Sequence, residues 1–113
     1  MKRTLSFAAT ITLITVGLVG LTQTPAQAGC AHGWSNKDAT GGTANWSNAK
    51  LRTGPHNGCS IVHWVPGGAT LYYHCYTINS DGNTWTHARY AGTDEQGWIW
   101  DGHLQDGGST KRC

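Results

Sequence analysis

The chain has 113 residues, with eight Lys or Arg against six Asp or Glu and only 12% charged residues. A formal surplus of two positive charges excludes the dense basic stripe by which nucleic-acid binders neutralise phosphates. The length limits the chain to one small domain.

The first stretch has the composition of an export signal. Lys2-Arg3 is a short positive end, Leu5 to Leu21 an apolar run, and Pro25-Ala26-Gln27-Ala28 a small-residue cleavage site, so cleavage is expected after Ala28. The run is broken by Thr10, Thr12, Thr15, Gly17 and Gly20 and has no basic stop-transfer flank, which argues against a membrane anchor. Lipid attachment at Cys30 is disfavoured because Gln27 stands where that signal wants leucine. Cleavage leaves 113 − 28 = 85 residues, and loss of Lys2 and Arg3 leaves six Lys or Arg against six Asp or Glu, a formal charge of zero. Six histidines would make the exported domain cationic below about pH 6.5. The expectation is a secreted, extracellular monomer, no longer membrane-bound and in place to associate with the cell wall.

Residues 29–47 are rich in Gly, Ser, Thr and Asn and read as an irregular arm. It has one short strand near Thr43 to Trp46 and is held down by Cys30 and by burial of Trp34 and Trp46 against the domain's side. Ala49 to Thr53 is a first strand, closed by the turn formers Gly54-Pro55-His56-Asn57-Gly58. Ile61 to Val65 and Thr70 to Thr77 are β-branched and aromatic runs flanking Pro66-Gly67-Gly68, and they read as a hairpin. Asn79-Ser80-Asp81-Gly82-Asn83 marks a reversal into Thr84 to Tyr90, and a polar turn leads to Trp98-Ile99-Trp100. No helical period follows residue 28, so the fold class is all-β, a small barrel or sandwich without a long helix. The polar tail 105–113 needs Cys113 to hold it.

Four cysteines in an exported chain imply two disulfides, with three pairings open. The hairpin argument favours Cys59–Cys75, which leaves Cys30–Cys113 to join the ends. In the loop-entropy picture these contribute about 3 and about 4–5 kcal/mol. No CxxC motif supports zinc, and neither metal nor cofactor is expected.

Leu51-Arg52-Thr53-Gly54-Pro55, Ile61-Val62, Val65-Pro66-Gly67-Gly68, Leu71, Trp85-Thr86-His87-Ala88-Arg89, Gly97-Trp98-Ile99 and Leu104 together resemble a bacterial SH3-like (SH3b) domain of the small secreted actinobacterial type. The resemblance covers residues 48–104. It implies a bent barrel of five to six short strands, with a 3₁₀ turn near Asp101 to His103 before a last strand. Two positions depart from the pattern. His63 replaces a common glycine, and Ala88 replaces a larger valine, so a neighbouring indole is expected to fill the core beside it. Many such domains bind peptidoglycan or its peptide crossbridges.

Six tryptophans and four tyrosines exceed what a core this small can bury, and strand alternation turns about every second residue outward. Trp64, Tyr72, Trp85, Tyr90, Trp98 and Trp100 are the pool from which a ligand groove is expected, although packing alone explains Trp85 and Trp98 equally well. Flat rings with polar edges suit sugars, short peptides and proline-rich segments. A hairpin register summing to 161 sets His74 opposite His87, a pair able to hold a metal or sense pH, but no third ligand is identifiable. The acids sit scattered in turns, the cysteines are expected to be oxidised, and no hydrolase or nucleotide motif occurs, so catalysis is not expected. The reading is a non-enzymatic binding module for peptidoglycan or an extracellular peptide. The alternatives are an exported inhibitor or protein-interaction domain and, behind it, a small cell-wall hydrolase.

Overall fold

The described residues form six strands, β3 to β6 from runs rich in β-branched and aromatic residues: β1 (Gly41–Thr43), β2 (Ala49–Arg52), β3 (Ile61–Val65), β4 (Thr70–Ile78), β5 (Thr84–Tyr90) and β6 (Gln96–Trp100). A 3₁₀ turn, η1 (Asp101–His103), follows β6 directly. The computed structural model describes residues 29–113, so the expected export signal lies outside the described residues. Among the described residues, no helix is long and apolar enough to cross a membrane.

All six strands are antiparallel neighbours in one sheet of order β1-β4-β5-β6-β2-β3. The sheet has two ends, β1 and β3, and is not closed into a barrel. It curls nonetheless, because Ala49 and Leu51 of β2, Val65 of β3, Leu71 and Tyr73 of β4, Ala88 of β5 and Ile99 of β6 meet in one buried cluster, with Ala44 and Leu104. No indole belongs to that cluster. Tyr73, paired directly across from Ala88, supplies the bulk expected there from a tryptophan. After η1, Leu104 makes only an isolated bridge to Ala44 where the resemblance implied a last strand.

The β4–β5 reversal shows why its sequence was readable. Asn79 Oδ1 accepts from the backbone N–H of Asp81 and of Asn83, both at 3.0 Å, and Gly82 takes the positive φ of 82° that the turn requires. Pro66-Gly67-Gly68 also closes a turn, with Ala69 N donating to Pro66 O at 3.1 Å. The two flanking strands do not pair, however. β3 takes β2, in the register Ala49↔Val65 to Arg52↔Ile61, while the nine residues of β4 are shared between β1 and β5.

The disulfide expectation fails with that hairpin. Cys30 is bonded to Cys59 and Cys75 to Cys113, so neither Cys59–Cys75 nor Cys30–Cys113 forms. β3 stands at one end of the sheet order and β4 near the other, and a staple between them would need adjacent strands. Each bridge instead pins one end of the described segment. The arm lies along β4's outer edge, with Tyr73 N donating to Thr40 O and Lys37 N to His74 O, and passes into β1. The tail continues the cover: Tyr76 N donates to Lys111 O and Cys113 N to Tyr76 O. Together they cap an edge that would otherwise offer open backbone groups.

Gly97 marks the closest approach of β6 to β2, where a Cβ would lie 2.5 Å from the Arg52 carbonyl oxygen. Gly97→Ala is therefore expected to cost on the order of 2 kcal/mol through overpacking against backbone that cannot yield. Thermal melts of the two proteins check it, and an unchanged midpoint would show that the strands can part.

Candidate functional site

Strand alternation sorts the aromatic residues by face. Opposite the core, Tyr72 of β4, Trp85, His87 and Arg89 of β5, and Trp98 and Trp100 of β6 share one side, with Lys50 and Arg52 of β2 and Trp64 of β3. Cross-strand pairs tie them together: Lys50↔Trp64, Arg52↔Trp98, His87↔Trp98 and Trp85↔Trp100. Continuing the Arg52↔Trp98 register by two residues sets Lys50 opposite Trp100. A row Trp64–Lys50–Trp100–Trp85 thus crosses four strands.

The six residues proposed from sequence meet different fates on this face. Trp64, Tyr72 and Trp100 are open to solvent, at 53%, 47% and 41% exposure. Trp98 and Trp85 are buried, at 1% and 3%. His32 from the arm packs its edge against Trp98 at 5.3 Å, a cover that strand alternation gives no sign of. Tyr90 is half-buried against the core, its ring 5.2 Å from that of His63. Burial of the arm's own indoles also fails: Trp46 is 84% exposed and lies over Gly67, where a Cβ would strike its ring, and Trp34 is exposed on its outer side.

Trp34 instead roofs a histidine pair. Its ring stacks on His87 at 4.0 Å and on His74 at 4.6 Å, and the two histidines meet Nδ1 to Nδ1 at 2.8 Å. The expected juxtaposition exists, but a bulge creates it: the register slips between Tyr73 and Cys75, so His87 pairs with Cys75 and His74 is the extra residue. One ring must donate and the other accept, which two protonated rings cannot do. Burial, then His74, pushes His87 down to about 3, and burial with Arg89 lowers His74. Among the described residues no group of three His, Cys, Asp or Glu is placed to hold a metal. Beside the pair, Asn36, Asp38, Thr40, Tyr72, Tyr73 and Arg89 help line a shallow groove of about 270 Å³.

Another hollow lies in the indole row. Lys50, Arg52, Asn57, Trp85, Trp100 and His103 enclose a cleft of about 70 Å³. Lys50 Nζ sits 4.5 Å above the Trp64 ring and Arg52 Nη1 donates to Cys59 O at 2.9 Å, which fixes both cations at its rim. Burial, Lys50 and Arg52 all lower His103, so protonation of its ring is disfavoured beside the two cations. Trp100 packs edge-on to His103 at 5.2 Å and over Gly102, which leaves its outer surface free.

Three of the acids are occupied in structural bonds. Asp38 accepts from Thr40 and Ser109, and these bonds with Lys111 outweigh its burial and lower it. Asp101 accepts from Thr86 at 2.6 Å but burial raises it, and Asp106 accepts from the Tyr73 hydroxyl at 2.6 Å.

Neither a protein-family model, nor a curated protein, nor a solved structure matches this chain.

Proposed function

We propose that the protein is an exported, non-enzymatic, SH3-like binding module, acting as a monomer, that recognises cell-wall peptidoglycan or a short extracellular peptide. The observation carrying this reading is the exposed row Trp64–Lys50–Trp100, set on a sheet whose chain ends are pinned by two disulfides. Rigidly held, solvent-facing indoles bind flat or apolar ligand groups without ordering cost, and indoles dominate binding hot spots. The cations between them favour a ligand with acidic groups, as cell-wall stem peptides have. The engagement of Asp38, Asp101 and Asp106 in structural hydrogen bonds supports binding over hydrolysis.

Sedimentation with purified cell walls tests the reading. The protein is expected to pellet with walls, and Trp64→Ala or Trp100→Ala to weaken binding roughly tenfold, the effect of losing one hot-spot ring. Trp46→Ala should leave it unchanged. Failure to pellet, or indifference to both substitutions, overturns the proposal. Loss of binding only in the Trp46→Ala variant would favour docking on a protein partner through the Pro66-Gly67-Gly68 turn, where that 84% exposed indole sits.

A further inference from the structure

His74 is only 8% exposed, and its Nδ1 is taken up by His87 at 2.8 Å. Its other ring nitrogen, Nε2, has no partner among the described residues. Nε2 is nonetheless not sealed inside the protein, because the one buried side-chain nitrogen or oxygen left unpaired among those residues is Nε1 of Trp85. Nε2 is therefore within reach of solvent, and the hollow that His74 lines is the groove of about 270 Å³ beside Tyr72. Two more groups of this groove are unpaired among the described residues, the Asn36 amide and the Tyr72 hydroxyl.

All three groups both donate and accept while carrying no charge. For His74 this holds whichever ring donates to the other: Nε2 is left a donor in one tautomer and an acceptor in the other, and burial with Arg89 favours the neutral ring. The charged groups of the groove are already engaged. Asp38 accepts from Thr40 with Oδ1 and from Ser109 with Oδ2, while Arg89 Nη1 donates to Thr93 O at 3.1 Å. One carboxylate and one guanidinium also offset each other, so the groove selects neither an anion nor a cation.

We propose that this groove is a sugar subsite, in which Tyr72 lies against the C–H face of a neutral pyranose whose hydroxyls pair with His74 Nε2 and the Asn36 amide. This rests on the binding-module reading and names the glycan as the part of the wall ligand held here. A hydroxyl donates and accepts at once, so it satisfies His74 in either tautomer. Tyr72 is 47% exposed, and Arg89, its direct cross-strand partner, keeps its guanidinium 5.2 Å from the ring centre, which steadies the platform. An aromatic ring with a polar edge suits a sugar's apolar face and its hydroxyl rim. The volume of about 270 Å³ stands just below the roughly 300 Å³ at which small-molecule sites begin, so the groove takes one ring rather than a chain. Tyr72 and Arg89 share the face that carries the indole row, which lets one wall fragment reach both.

Titration of the ¹⁵N-labelled protein with tetra-N-acetylchitotetraose, a glycan without peptide or charge, tests the proposal. Saturable shifts are expected at the His74 ring nitrogens and the Tyr72 amide. Tyr72→Ala should weaken binding about fivefold, the effect of losing one stacked ring. Asn36→Ala, an exposed change in the arm, should weaken it too, and Trp64→Ala should not. Amide signals away from the groove report that each variant is folded. No saturable shift, shifts centred on Trp64 and Trp100 instead, indifference to both groove substitutions, or an equal response to tetraglycine would each overturn the subsite. Wall sedimentation without a response to the glycan sinks the subsite alone. A glycan response at His74 without sedimentation sinks the wall-binding reading and leaves the subsite standing.

Discussion

Replacing Cys75 and Cys113 together by alanine is expected to lower stability by about 4 kcal/mol, judged by the loop entropy of a bridge of this span. The bridge closes a segment of 38 residues, and Cys30–Cys59 one of 29, so the second should contribute only a few tenths less. Such a loss is a large share of a small domain's total stability. Location adds to it. Cys113 holds the tail strand whose Lys111 carbonyl and Cys113 amide satisfy Tyr76 of β4, and the preceding Ser109 reaches both Asp38 and Thr86. Releasing the tail therefore frees one side of β4 and removes a partner from a buried carboxylate. Urea unfolding of the double variant checks this, with Cys30→Ala/Cys59→Ala as comparison. A midpoint unchanged in the Cys75→Ala/Cys113→Ala protein would show that the tail's hydrogen bonds hold without the bridge.

What the sequence disclosed was local, and what it concealed was long-range. β5 occupies Thr84–Tyr90 as expected because an Asn-Ser-Asp-Gly turn and a run of alternating residues lie side by side in the chain. The same logic found both runs flanking Pro66 and then paired them wrongly, since a turn signal reports a reversal and not the partner each strand takes afterwards. The disulfide error descends from that step. Faces were legible and coverage was not. Alternation turns about every second residue outward, but which outward ring stays open is not local: burial of Trp98 depends on His32, sixty-six residues away in an arm without periodicity. The Trp85 cleft combines both kinds of information. Trp85 and Trp100 belong to the pool named from sequence, whereas Lys50 and Arg52 reach them only through the β2–β6 pairing, and Asn57 and His103 come from a loop and a 3₁₀ turn placed only by the finished fold.

Lowering the pH from 7.5 to 5 is expected to destabilise the domain through the roofed histidine pair. An unperturbed histidine titrates near 6.5, and burial holds His87 down at about 3 in the fold. Above pH 6.5 both folded and unfolded chains carry a neutral ring, and the site contributes no pH dependence. Between about 6.5 and about 3 the unfolded chain binds a proton that the folded site refuses, so stability falls as pH falls. One such proton has a slope of up to ~1.4 kcal/mol per pH unit. His74 shifts in the same direction, and because the rings share one hydrogen bond they titrate as a pair. The groups facing them act alike: Trp34 and Trp98 offer apolar rings, and Arg89 adds positive charge that opposes protonation. Asp101, raised by burial, works in the opposite sense, gaining stability as pH falls from its raised folded value toward the ordinary 3.8, so it offsets part of the histidine effect. Urea midpoints at pH 7.5 and 5 should differ accordingly, and His87→Gln should flatten the difference. In the folded wild type, the ring-proton shifts of His87 should stay constant from pH 7.5 to 5. A His87 resonance titrating near 6.5 would mean that Trp34 does not seal the pair from water, and with it would go the arm's role as the cover of this face.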